Sequence, residues 1–289
     1  MTQTDSTISI LIPCYNQEAF IQQTIQAALN QTYPAKEIIV VDDGSQDNSP
    51  EIISQLPVRL IRHDQNRGLA ITRNTALNAA SGDVVLFIDS DAYADSHLVE
   101  IIQHKYIEYS NPKLAGIGGQ GIEANIRSIY DRWRAIHASQ SFGNSSRQDI
   151  PHLFGLCMSY KRSVLLETGG FDPFFRNYAE DVDAGCRLRR AGYFLCYTPE
   201  AIVHHQRTDS EDKLKRVQYH WYYWGYLAKK RTDSRPWTLI LGTLRRLFTD
   251  PITDLILLRN PALARLSLEI SLVKLSALKQ ASVSALPEK

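Results

Sequence analysis

Short apolar runs recur through the first ninety or so residues of this chain, and several stop abruptly at polar or acidic residues. ISILIP (8–13), EIIVVDD (37–43), VRLIRH (58–63) and VVLFIDSDA (84–92) are rich in β-branched residues, as strands buried on both faces are. Between them the apolar spacing becomes helical. Phe20, Ile21, Ile25, Ala28 and Leu29 share one helical face. Ser49 and Pro50 suit a helix cap and first turn, and residues 69–82 read as a helix ended by Gly82. This alternation predicts right-handed crossovers and an α/β fold: a mostly parallel sheet flanked by helices. Ligands of such sheets bind at the carboxyl ends of the strands. The sequence places Pro13–Asn16, Asp42–Asp43 and Asp89–Asp91 there.

With 289 residues, 22% charged and 44% hydrophobic, the chain is long enough for one large core plus an appendage, and disordered or fibrous classes are excluded. No stretch approaches the roughly 18 consecutive apolar residues of a spanning helix. The N-terminal MTQTDST lacks the basic start and apolar run of a signal peptide. Cys14, Cys157, Cys186 and Cys196 have no CxxC spacing and read as reduced core residues of a cytoplasmic protein. A net charge of +1 hides an asymmetry. Residues 206–289 hold 15 Lys and Arg against 8 Asp and Glu, whereas residues 1–205 hold 17 against 23. The expected organisation is a mildly acidic body over 1–205 and a basic extension over 206–289. The body would divide into halves of about 1–115 and 116–205, since the pattern loosens where Gly116, Gly118, Gly119 and Gly121 crowd together.

Four motifs carry the chemistry. In VVDDGSQDNS (40–49) a strand delivers two carboxylates into a Gly/Ser turn, where they can accept from a nucleobase or ribose, or from loop amides. In FIDSDA (87–92) two carboxylates at i and i+2 follow a dry strand; Mg²⁺ or Mn²⁺ is their natural partner, solvated aspartates the alternative. AEDVDAGCRLRRAG (179–192) has the acidic first turn and basic last turn of a helix. The helix dipole alone explains those charges, and a general base explains them equally well. AIVHHQR (201–207) ends a strand in two histidines, a candidate ligand pair beside an acidic metal motif.

In this order and spacing, these segments, with ISILIPCYNQ, NRGLAITRN (66–74) and GGFDPFF (169–175), resemble the family 2 glycosyltransferases of the GT-A (Rossmann-like) fold. The likeness covers about residues 8–205. It implies inverting transfer of a sugar from a nucleoside-diphosphate sugar, a UDP-sugar by family habit, to an acceptor hydroxyl, with Mn²⁺ or Mg²⁺. Pro13, Tyr15, Asn16 and Glu18 would belong to the first nucleotide-binding segment. Asp42 or Asp43 would contact the base, Asp42 being favoured. Arg73 would lie near the nucleotide, with Gly68 allowing close backbone approach. Asp91 would ligate the metal and Asp89 the ribose. Asp181 would be the catalytic base, Glu180 would position the acceptor, and His205, or alternatively His204, would complete the metal or diphosphate site.

Two departures are visible. The family's usual glycine before the ED pair is Ala179, and RVQYHW (216–221) stands where processive polymerases carry QxxRW, which argues for single-sugar transfer. Other classes fit less well. FIDSDAY also looks like the nucleophile strand of haloacid dehalogenase-like phosphatases, but two βα units precede it and Tyr93 replaces Thr/Val. Sugar nucleotidyltransferases begin with a Gly-rich loop where this chain has PCYNQE. A scaffold that has lost activity would not need Asp42, Asp89, Asp91 and Asp181 together. The extension packs Tyr219, Trp221, Tyr222, Tyr223, Trp224 and Tyr226 between basic clusters. That suits an anionic membrane surface, with packing on the catalytic body or a dimer interface as alternatives. The expected partners are thus a nucleotide sugar, a saccharide or lipid-linked acceptor and such a membrane, with no nucleic acid.

Overall fold

The computed structural model describes residues 6–286. In chain order the elements begin β1 (Ile8–Cys14), α1 (Ile21–Leu29), β2 (Glu37–Asp42), α2 (Ser49–Ser54), β3 (Arg59–Arg62), α3 (Leu69–Ala79), β4 (Val84–Ile88) and β5 (Ala92–Ala94). There follow α4 (Leu98–Tyr109), β6 (Leu114–Glu123), α5 (Ile129–His137), β7 (Arg147–Gln148), β8 (Cys157–Lys161), α6 (Arg162–Glu167), α7 (Glu180–Arg190) and β9 (Phe194–His205). Three long helices close the chain: α8 (Glu211–Arg231), α9 (Trp237–Ile256) and α10 (Pro261–Val283). The elements fall into two compact units. One comprises the residues up to Ala124 with Gln140–Arg207; the other comprises Asn125–Ser139 with the chain from Thr208 onward. A single cut near residue 206 therefore misplaces α5, which belongs with the C-terminal helices.

In the first unit the strands run in the order β3-β2-β1-β4-β8-β6-β9-β5, with β7 paired to β9. Strands β3, β2, β1 and β4 are mutually parallel, as the sequence alternation predicts. Beyond β4 the sheet is mixed: β8 is antiparallel to β4 and β6, whereas β6 and β9 are parallel. Successive residues of each strand point to opposite faces. Ile10, Ile12, Val40, Leu86 and Ile88 therefore enter one core with α1, α2 and α4. Leu11, Ile39, Val41, Val85 and Phe87 enter a second core with α3, α6 and α7. The crowded glycines are not a loosening of the pattern but the strand β6. A Cβ on Gly119 would lie 2.2 Å from the Ala201 carbonyl oxygen, so the neighbouring backbone takes the room a side chain would need. Ser49 opens α2 without capping it: the cap position is Asn48, and the Ser49 hydroxyl accepts from Gln17 N–H instead. Helix α3 stops at Ala79, before Gly82. All four cysteines are buried and unpaired.

The second unit is a helical bundle. Trp133 of α5, Leu214 of α8 and Leu263, Leu266 and Ile270 of α10 form its core. A reciprocal Ser128–Asp131 capping box starts α5, and Arg134 is buried against Asp209. Among the described residues, no helix is long and apolar enough to cross a membrane.

Candidate active site

Side chains from the loops after β1 and β2 interlock. Asn16 N–H donates to Ser45 Oγ (2.9 Å), Glu18 N–H donates to Asp47 Oδ2 (3.0 Å), and Glu18 Oε2 accepts from Asn48 N–H (3.0 Å). Pro13 lies within β1 opposite Val41, and Tyr15 is exposed just beyond the strand end. The two aspartates after β2 have different surroundings. Asp43 is consumed locally, accepting from the N–H groups of Arg67 (2.9 Å) and Gly68 (2.8 Å) and lying 2.7 Å from His63 Nδ1. Asp42 is fully buried; its Oδ2 takes Ser45 N–H and lies 3.3 Å from Arg62 Nε, but its Oδ1 has no protein partner. An unsatisfied buried acceptor costs free energy unless something outside the chain donates to it. The two aspartates thus differ: Asp43 is taken up by protein donors, whereas Asp42 keeps one buried oxygen without a protein partner. Gly68 adopts φ +97°, and a Cβ there would collide with Arg176.

Arg73 is the electrostatic centre. Projecting from α3, its guanidinium donates to Glu180 Oε1, to Asp89 Oδ1 (2.8 Å) and to the Gly155 carbonyl (3.2 Å). The fork matches planar acceptors and joins the end of β4 to the start of α7. Burial raises Glu180 to about 7 against the pull of Arg73, with the Asp181 charge adding to the rise. Asp89 is likewise raised by burial, with Arg73 opposing and Asp91 adding. Asp181, half-buried on the first turn of α7, is held differently: Oδ2 accepts from Gly155 N–H (3.1 Å) and Oδ1 from Val182 N–H (2.8 Å).

Asp91 and His205 meet across the β5–β9 pairing, where Ala92 lies opposite His205. His205 Nε2 is 3.4 Å from Asp91 Oδ2, and Nδ1 is 3.3 Å from Glu123 Oε1 at the end of β6. Burial opposes charge on His205, but the bonds to Asp91 and Glu123 prevail and lift it to about 9. Burial likewise pushes Asp91 up, yet the His205 hydrogen bond and charge hold it below the usual carboxylate range. Glu123 escaped the sequence reading. A carboxylate on the far nitrogen of a ligating histidine is a recurrent orienting device, so an acidic residue at the end of a neighbouring strand was its only available signal. His204 points elsewhere: it stacks on Tyr93 (4.8 Å between centroids) and bonds Asp95 (2.7 Å), so it does not share this cluster. Among the described residues, no three His, Cys, Asp or Glu side chains converge closely enough to hold an ion unaided. Once His205 gives up the proton it shares with Asp91, that carboxylate and imidazole, with Asp89 two residues away, suit Mn²⁺ or Mg²⁺, which keep waters and accept substrate phosphate oxygens as ligands.

The sequence profile of Glycosyl transferase family 2 matches residues 9–169, more than half the chain. The chain belongs to that family. As a family 2 glycosyltransferase it is 29% identical over 208 residues to a poly-beta-1,6-N-acetyl-D-glucosamine synthase of Staphylococcus epidermidis, covering 68% of this chain and 48% of that protein. It thus spans about half the length of the curated relatives it matches. Among solved structures, it is similar to the mannosyltransferase PcManGT of Pyrobaculum calidifontis, determined with GDP-Man and Mn²⁺. The TM-score is 0.64 at 20% identity, covering 99% of this chain and 78% of that one. Staphylococcus aureus TarS 1–349, determined with UDP, gives a TM-score of 0.55 at 15% identity, covering 95% and 90%. At these identities the structures speak for a shared GT-A fold. For this glycosyltransferase, the haloacid dehalogenase and nucleotidyltransferase alternatives fall away.

Proposed function

We propose that this glycosyltransferase moves a single sugar from a nucleoside-diphosphate sugar, a UDP-sugar foremost, to an acceptor hydroxyl with inversion, in polysaccharide biosynthesis. The acceptor is a glycan or lipid-linked saccharide, met at the cytoplasmic face of an anionic membrane through the C-terminal extension. The observation that carries the reading is the division of labour between adjacent carboxylates. Glu180 is engaged by Arg73, whereas Asp181 has only two backbone N–H donors. Asp181 is therefore the group that takes the acceptor proton as the hydroxyl attacks the anomeric carbon. Glu180 and Arg73 fix the turn that presents it. Asp42 receives the base through its unfilled Oδ1, beside the interlocked loop of Pro13, Tyr15, Asn16 and Glu18, and Asp89 takes the ribose. Asp91 and His205 would hold Mn²⁺ or Mg²⁺, whose chemistry is neutralisation of the departing diphosphate. Single transfer, rather than polymerisation, is supported by RVQYHW standing in place of QxxRW.

Titration calorimetry with UDP, GDP and dTDP, with and without Mn²⁺, tests the reading. One nucleotide should bind in a metal-dependent way, and Asp91→Ala should lose that dependence. His205→Ala should weaken metal-dependent binding while His204→Ala leaves it intact. Folded protein that binds none of the three under either condition overturns the proposal.

A further inference from the structure

Helix α9 is amphipathic the wrong way round for a helix that meets only water on its outer side. Trp237, Leu241, Leu244, Phe248, Ile252 and Leu255 recur at spacings of three and four, so they share one face, and every one is exposed. Phe248 is 66% exposed, and Ile256 at the helix end and Leu257 just past it extend the surface, Leu257 at 74%. The helix's two acidic residues and one threonine are turned inward instead. Asp254 is fully buried on His137 Nε2 (2.8 Å), Asp250 lies 3.6 Å from His137 Nδ1, and buried Thr243 bonds the Leu239 carbonyl (2.8 Å). An α-helix of this length runs about 30 Å, so the outward stripe is far longer than the scattered apolar residues of an ordinary surface.

Charge says what covers it. Between residues 235 and 260 both carboxylates, Asp250 and Asp254, are turned onto His137, and Arg246 is turned the same way, donating to the His137 carbonyl (3.3 Å), while Arg235, Arg245 and Arg259 are exposed. The outward side of this stretch thus combines apolar bulk with positive charge alone. A second copy of the same face would bring arginines against arginines. A surface with an apolar interior and anionic headgroups satisfies both features. We infer that the outward face of α9, from Trp237 to Leu257, is the element that lies in the headgroup region of an anionic lipid bilayer. This rests on the reading of the extension as membrane-facing and assigns it to one helix. The aromatics of α8, which the sequence made conspicuous, are all at least partly covered.

The test is co-sedimentation of the full chain with vesicles of phosphatidylcholine alone and of equal parts phosphatidylcholine and phosphatidylglycerol. Binding should be confined to the anionic vesicles and weaken with salt. Leu241→Gln with Phe248→Gln, both at exposed positions, should lower the partition at least tenfold with an unchanged circular dichroism spectrum. Arg245→Gln with Arg259→Gln should cost about fivefold per charge removed. Equal binding of the Leu241/Phe248 variant and the parent would overturn the assignment to α9 while leaving a membrane-bound extension intact. No binding of the parent to either vesicle would overturn both. Equal binding to both vesicle types would overturn the charge argument. A parent that is dimeric by light scattering, with a monomeric Leu241/Phe248 variant, would give the face to a second copy and overturn the lipid assignment. Calorimetry with nucleotides is independent of all these outcomes, so they leave the transferase reading to its own test.

Discussion

Both units of the molecule bury cations, and Arg73 and Lys274 are accommodated by opposite means. Arg73 in the sheet unit and Lys274 in the helical unit are both 1% exposed. Arg73 is ringed by acceptors: Glu180, Asp89 and the Gly155 carbonyl. Lys274 lies between two rings, its Nζ 4.9 Å from the centroids of both Trp133 and Tyr222. A guanidinium stays charged whatever surrounds it, so a buried arginine needs anionic partners, and it keeps them fixed in return. An ammonium can shed its proton. Burial first, and then the nearby Arg246 charge, push Lys274 down to about 7 against the pull of Asp250. In the helical unit too the permanent charge, Arg134, is buried against a carboxylate, Asp209, whereas the titratable Lys274 is left to aromatic faces.

The largest effect is expected at the carboxylate that Arg73 does not bond, Asp181. Asp181→Asn should lower sugar transfer by about 10³-fold while nucleotide binding is kept, the loss expected for a general base. Turnover of the matching nucleotide sugar, alongside calorimetry, measures both. A rate within threefold of the parent would assign proton removal elsewhere. Next comes Arg73→Met, which strands Glu180 and Asp89 without their shared cation. Breaking a buried ion pair from one side costs about 3–5 kcal/mol, so the urea midpoint at neutral pH should fall steeply. A loss below about 1 kcal/mol would mean that Arg73 is not the centre of the network.

Lys274 gives the opposite sign. The unfolded lysine keeps its proton up to its ordinary value of 10.5, the folded one only to about 7. Between those values the unfolded state binds more protons, so this group makes stability rise with pH, by at most about 1.4 kcal/mol per pH unit. Lys274→Met removes the group and should stabilise the chain on the order of 2 kcal/mol at pH 7, with the advantage shrinking towards pH 10. Denaturant unfolding at the two pH values checks it. A variant less stable than the parent by the same amount at both would show that the ring contacts outweigh the burial cost.

How much of this was legible in the residues follows the range of the interactions. Strands β1, β2 and β4 announce themselves because a continuous β-branched apolar run is local, and the acidic clusters at their ends need no distant partner to be noticed. The pairing of β8 antiparallel between β4 and β6 is not local, and neither is the close backbone approach that makes a strand of the glycines around Gly119. Period two did contain one further constraint. Adjacent residues of a strand face opposite ways, so His204 and His205 could never both reach Asp91. The placement of α5 with the C-terminal helices depends on Trp133 reaching Ser267 (2.8 Å) and Arg134 reaching Asp209, contacts across long stretches of chain that no spacing rule reveals. Likewise, only the structure separates the aromatics of α8 from the exposed stripe of α9, because both segments read as apolar and basic.

The smallest effect bears on the turn beside Arg73. Ala179 occupies the cap of α7 with φ 66° and ψ 13°, the left-handed region that a Cβ makes unfavourable by about 1–2 kcal/mol. The next residue is Glu180, the carboxylate on Arg73, so the ion network and the strained cap share one turn. Glycine would relieve the strain but loses more chain entropy on folding, so Ala179→Gly should stabilise by about 1 kcal/mol net, or a few degrees in melting temperature. If Arg73 holds this turn in place, transfer activity should be unchanged, because the aim of Asp181 is already fixed by Gly155 and Val182. A stabilised variant with a depressed kcat and an unaltered nucleotide affinity would say otherwise: the Cβ of Ala179, and not the guanidinium, would then be what restricts the turn that presents the base.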